Sequence, residues 1–155
     1  MFFGFFNTGY EALFSGILAA FLAQILKVVF YCIKHREINF KMFTTTGGMP
    51  SSHSAGVVGL ATAVGLVEGF DSVSFAIATS FAIVVMYDAA GLRRAAGKTA
   101  ATLNRLVREI REHSSEIRPQ EALKELLGHT PIEVMCGAFF GMLVALFIHN
   151  IPALF

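Results

Sequence analysis

Apolar positions in this chain gather into four long blocks rather than into one-sided stripes. Ala12 to Leu26 contains no ionisable residue, and the block continues past Lys27 through Val28–Ile33. Ser54–Val67 and Ser72–Tyr87 form the middle pair, and Val134 to the C-terminal end, broken only by His149, forms the last. A helix that is apolar all round is a buried or a membrane helix, and a bilayer span needs about 17–25 residues. The middle blocks reach that length only if ionisable residues at one end are counted, His53 for one and Asp88 for the other; Lys27 and Glu133 hold similar positions in the outer pair. The pattern predicts helical spans over about 12–33, 52–69, 72–90 and 132–152. The alternative, that the middle pair are core helices of a soluble protein, is disfavoured because no polar stripe relieves either.

Between the third and fourth blocks the pattern changes. Leu103, Leu106, Val107 and Ile110 follow the i, i+3, i+4, i+7 spacing of an amphipathic helix, with Arg105, Arg108, Glu109, Arg111 and Glu112 as its polar side. A second helix is expected over Pro119–Leu127, with Pro near its first turn. A helical insertion over about 95–128 is therefore expected to cover the ends of the spans, the alternative being that it lies along anionic lipid.

Composition narrows the class. The 155 residues are 55% hydrophobic and 15% charged, with a mean hydropathy of +0.63, whereas soluble domains carry about 25% charged residues. Disorder is excluded by the apolar fraction, and a disulfide scaffold by the presence of only two cysteines. Cys32 and Cys136 lie in apolar stretches and read as packing residues. A net charge of +1 gives no reason to expect nucleic acid as a partner. Sixteen Phe and no Trp suit a lipid-facing surface. The fold class expected is all-α: a single-domain polytopic membrane bundle with about four spans plus the amphipathic insertion.

Lys and Arg are placed unevenly. They fall at Lys27, Lys34, Arg36 and Lys41 and again between Arg93 and Lys124, with none before Ala12, in the Glu68–Asp71 turn or after the last span. The positive-inside rule then puts the 34–50 and 91–131 loops in the cytoplasm. Met1–Glu11 has no basic residue and does not read as a cleaved signal peptide. This topology gathers Lys27, Lys34, Arg36, His53, Asp88, Arg93, Arg94, His129 and Glu133 at one membrane face.

Candidate chemistry lies in three blocks there. In Gly47-Gly48-Met49-Pro50-Ser51-Ser52-His53-Ser54, Ser51 or Ser52 can cap a helix whose free N–H groups suit a phosphate, with His53 in its first turn; a plain N-cap with an incidental His is the competing account. In Asp88-Ala89-Ala90-Gly91-Leu92-Arg93-Arg94, paired Arg can hold an anion or serve only as a membrane anchor, and Asp88 can pair with one of them. In Gly128-His129-Thr130-Pro131-Ile132-Glu133, Thr130 to Glu133 matches a capping box, and Glu133 can instead orient His129. Lys27 falls inside an apolar stretch and either serves the site or snorkels to the interface. Two His with several cations suit a phosphomonoester dianion better than a divalent metal, which the cations would repel.

Pro50-Ser51-Ser52-His53 resembles the Pro-Ser-Gly-His motif of the type 2 phosphatidic acid phosphatase superfamily, which includes the vanadium haloperoxidases. His129-x-x-x-Glu133-Val134-x-x-Gly137 resembles its final His-x-x-x-Asp motif, with Glu for Asp. Taken in order over roughly residues 12–152, the three blocks resemble the small divergent branch of that superfamily. The resemblance implies His129 as a nucleophile that forms a phosphohistidine, Glu133 as its orienting carboxylate and His53 as general acid. It implies phosphate contacts from Lys27, Ser51 and the Ser52 backbone, and no metal or other cofactor. Two superfamily positions differ: Lys34-His35 stands where Arg-Pro is usual, making Arg36 the nearer Arg, and Leu123 stands where an Arg precedes the nucleophile, making Arg93 or Arg94 the substitute.

The expected function is an integral-membrane, metal-independent lipid phosphate phosphatase in a plasma membrane of bacterial type, its active site on the cytoplasmic side. A non-catalytic lipid- or ion-binding or transport protein using the same cations is the alternative. A haloperoxidase is disfavoured by a cytoplasmic membrane site. Thin helices bury little surface, so a homodimer is also an expectation.

Overall fold

The computed structural model describes residues 4–37, 48–113 and 128–154. Along the chain run α1 (Gly9–His35), α2 (Ser52–Glu68), α3 (Val73–Tyr87), a π-turn (Asp88–Leu92), α4 (Arg93–His113), α5 (Pro131–Asn150) and a short 3-10 turn (Ile151–Leu154). No strand occurs among the described residues.

Three of the helices begin at a side-chain cap, α2, α3 and α5. Ser51 Oγ accepts the Ser54 N–H to start α2, and Ser72 Oγ accepts the Phe75 N–H at 3.1 Å to start α3. Thr130 and Glu133 form the capping box of α5, with Pro131 as its first residue. α1 ends at Arg36, which takes a left-handed conformation (φ 54°) and donates its N–H to Cys32 O. The expected spans thus fall on α1, α2, α3 with its π-turn, and α5. Three helical runs are long and apolar enough to cross a membrane: α1, the run from Val73 into α4, and α5. At 17 residues, α2 rises only ~26 Å.

α2 is the central helix, packed by α1, α3 and α5, and α1 also meets α5. The interior is built from small side chains: Ala19 and Ala23 of α1, Ala55 and Ala63 of α2, and Ala145 of α5 are all fully buried. The large apolar side chains point outward, among them Phe14, Phe21, Phe81, Phe139 and Phe147. This inverts the arrangement of a water-soluble core and is the packing of helices in lipid, where close backbone approach replaces hydrophobic burial as the source of contact. The approach is tightest between α2 and α5. A Cβ on Gly137 would overlap the Ser51 carbonyl, and one on Gly141 the Ala55 carbonyl.

The first half of the expected amphipathic insertion falls on α4. Backbone helicity runs from α3 through the π-turn into α4, whose start at Arg93 lies two residues before the expected insertion. Its packing is against the π-turn, and the whole Leu103, Leu106, Val107, Ile110 stripe is exposed. The helix expected over Pro119–Leu127 lies outside the described residues.

Candidate functional site

The site grows from the two segments that enter α2 and α5. Gly48 has φ +91°, a left-handed value that glycine takes without strain, and its backbone rests against the aliphatic stem of Lys27. The Met49–Pro50 peptide is cis. Ser51 is fully buried and donates its N–H to Glu133 O at 3.1 Å, while its Oγ accepts the Ser54 hydroxyl at 3.1 Å. The start of α2 is therefore hydrogen-bonded to the first turn of α5, and Gly137, a turn further along, leaves room for that approach.

His129 lies just before α5, outside the helix, and is 3% exposed. Its N–H donates to Ala89 O in the π-turn at 3.2 Å. Its Nδ1 lies 3.1 Å from Glu133 Oε2. An ionised carboxylate only accepts, so this bond places the ring proton on Nδ1 and the lone pair on Nε2. Glu133 Oε2 also accepts the Thr130 N–H at 3.0 Å, and the Glu133 N–H returns to Thr130 Oγ1 at 3.3 Å. The two accounts of Glu133, helix cap and orienting carboxylate, hold together because His129 precedes the helix and folds back along its first turn.

His53, in the first turn of α2, is exposed and faces the His129 ring edge-on, with ring centroids 6.4 Å apart. Lys27 is 2% exposed in α1, and its Nζ donates to Gln24 Oε1 at 3.2 Å. Lys27 therefore does not snorkel: its ammonium is held inside the bundle beside Gln24. An anion held near His53 and His129 would meet this cation and the N-terminal amides of α2.

The remaining candidates are placed as follows. Ser52 is the first residue of α2 and half-buried. Asp88 opens the π-turn and is half-buried. Arg93 and Arg94 begin α4 immediately after that turn, and their side chains lie outside the described set. Arg36 stands apart: it is exposed at the α1 C-cap, ~14 Å along the helix axis from Lys27.

Two contributors escaped the sequence reading. Gln24 is three residues before Lys27, on the same helix face, and that spacing within an uncharged stretch was the available signal. The Ala89 carbonyl is backbone and carries no sequence signal. A second polar cluster sits at the opposite end of the bundle. Glu11, 1% exposed, accepts the Asn7 N–H and lies 2.8 Å from His149 Nδ1 through Oε1. Each is an isolated ionisable residue at the edge of its apolar block, and only the fold pairs them.

A Bacillus subtilis (strain 168) protein described as the uncharacterized membrane protein YuiD is 43% identical over 143 residues, covering 86% of this chain and 90% of that protein. No solved structure matches. The family model described as the divergent PAP2 family matches residues 9–144, and with the His129–Glu133 pair and the buried Ser51 turn inside that match, the chain belongs to the divergent PAP2 family.

Proposed function

We propose that this membrane protein is a phosphatase of lipid phosphates that works through a phosphohistidine and needs no metal. The observation that carries the reading is the pairing of a buried, carboxylate-oriented His129 with His53 across 6.4 Å, next to buried Lys27. In the first step His129 Nε2 attacks phosphorus, the bond from phosphorus to the lipid oxygen breaks, and the leaving oxygen takes a proton from the His53 imidazolium. In the second, neutral His53 accepts a proton from water, whose oxygen attacks phosphorus. Inorganic phosphate leaves, and the electron pair of the broken P–N bond returns to His129. Lys27 and the amides at Ser51 and Ser52 stabilise the equatorial oxygens, with Arg93 or Arg94 as the Arg of the site. Arg36, set apart on the surface, would meet a headgroup rather than the transferred phosphoryl group.

The positive-inside distribution supports a site on the cytoplasmic side of a bacterial plasma membrane, with α2 as the fourth span. Both points are read by labelling: after Cys32→Ser and Cys136→Ser, a cysteine at Lys34 should react with an impermeant thiol reagent only in inverted vesicles, and one at Asp71 only in right-side-out cells. The reverse pattern removes the cytoplasmic assignment.

The deciding experiment is a phosphate-release screen of purified protein in vesicles over lipid phosphomonoesters and pyrophosphates, with His129→Ala in parallel. Release that is insensitive to chelators, inhibited by orthovanadate and lost in His129→Ala is expected. Absence of release, with lipid-phosphate binding that survives His129→Ala but not Lys27→Ala, favours the non-catalytic reading.

A further inference from the structure

We propose that α4 is a membrane-surface helix that seats its apolar stripe at the boundary between headgroups and acyl chains of an anionic leaflet, on the same side as His129. The proposal rests on the membrane assignment and not on the phosphatase reading.

Among the described residues nothing covers the stripe: Leu103, Leu106, Val107 and Ile110 are between 41% and 54% exposed. A helix that capped the span ends would bury these residues against α2 or α5, yet α4 packs on the π-turn. The π-turn in turn continues α3, whose Ile77, Phe81, Val84 and Tyr87 are all strongly exposed, as a lipid-facing helix requires. Hence α4 begins where α3 leaves the hydrocarbon.

Charge selects the lipid. Lys98, Arg105 and Arg108 lie away from the stripe on the helical wheel, and basic residues outnumber acidic ones over Arg93–His113. The exposed Arg105–Glu109 pair, 2.9 Å apart, offsets only one of the basic charges. An apolar face backed by a net positive polar face is the arrangement that binds anionic membrane surfaces. A second copy or another protein could match the apolar stripe, but neither would use the positive face. Seating α4 in this way also fixes the π-turn, whose Ala89 carbonyl holds the His129 amide, at the membrane interface.

The chain contains no Trp, so a single introduced Trp reports its own surroundings. Full-length Leu106→Trp, on the stripe, and Ala101→Trp, on the opposite side, are reconstituted in phosphatidylcholine vesicles with and without phosphatidylglycerol. Some of the phosphatidylcholine carries bromine at shallow acyl positions. Leu106→Trp should emit at shorter wavelength and be quenched several-fold more than Ala101→Trp, with quenching deeper in the anionic vesicles and weakened by salt. Val107→Trp, also on the stripe, should repeat the result and guards against local disruption by either variant. Equal quenching at both positions overturns the proposal. So does a blue-shifted Leu106→Trp that brominated lipid leaves unquenched, which would place residues 114–127 or a second copy against the stripe. Quenching that ignores phosphatidylglycerol and salt overturns the anionic assignment.

Discussion

Glu133 Oε2 serves two donors at once, the Thr130 amide at 3.0 Å and His129 Nδ1 at 3.1 Å. The two duties are separable by substitution. Glu133→Gln keeps a capping-box side chain but replaces the carboxylate that fixes the imidazole. It should leave thermal stability within ~0.5 kcal/mol of wild type while lowering kcat by ~10²-fold or more, the range lost when catalytic proton transfer is disturbed. Glu133→Ala should lose both, with a further ~1 kcal/mol from the missing cap. Turnover on a lipid phosphate and thermal unfolding in detergent, measured side by side, separate the cases; equal stability loss in both variants would reduce Glu133 to a cap. Much at this scale was readable in advance. Thr130-Pro131-x-Glu133 announces a helix start, and His129 beside it announces a partner. The burial of Lys27 was not readable, because it depends on Gly48 folding over the lysine stem from a segment more than twenty residues on in the chain. Nor was the tether from His129 to Ala89, which uses backbone atoms common to every residue.

Between elements, glycine decides how near α5 comes to α2. A methyl group on Gly137 or Gly141 would overlap a backbone carbonyl of α2, and backbone cannot swing aside as a flexible side chain can. Gly141→Ala should therefore cost about 1–3 kcal/mol, seen as a lower unfolding temperature in detergent. Gly137→Ala should cost a similar amount and also depress turnover of the protein that still folds, because the carbonyl it strikes belongs to Ser51. Gly9→Ala, with nothing near the new Cβ, serves as the control and should be neutral or slightly stabilising. The spans themselves were legible because their ends carry caps and their middles carry no charge. The insertion was less legible. Periodicity correctly identifies an amphipathic helix around Leu103–Ile110, but it is blind to what the apolar face meets. The same spacing serves a lid and a surface helix, and the passage from α3 through the π-turn into α4 carries no periodicity signal of its own.

Among the described residues of the spans, the ionisable side chains gather at the two ends of a small-residue bundle. At the end away from His129, Glu11 and His149 join α1 to α5 across a sequence separation of 138. His149→Ala leaves the buried Glu11 carboxylate with the Asn7 amide as a donor but without the imidazole, and should destabilise by about 1–3 kcal/mol. Glu11→Gln keeps an acceptor and should cost less. Phosphate release per folded molecule should survive both, since the pair lies at the far end; a loss of turnover without a loss of stability would couple the two ends.

The bond from His129 N–H to Ala89 O has a mechanical side. α3 has a single buried residue, Ala82, and is held mainly by α2, whereas α1, α2 and α5 brace one another. A bilayer thicker or thinner than the apolar length of a helix tilts it, and the helix with the weakest bracing gives way first. Tilting α3 moves Ala89, and Ala89 O accepts the main-chain N–H of His129, the proposed nucleophile. Acyl-chain length of the host membrane should then act as a control on catalytic reach: turnover should peak at one bilayer thickness and fall on either side, while unfolding of the braced trio barely changes.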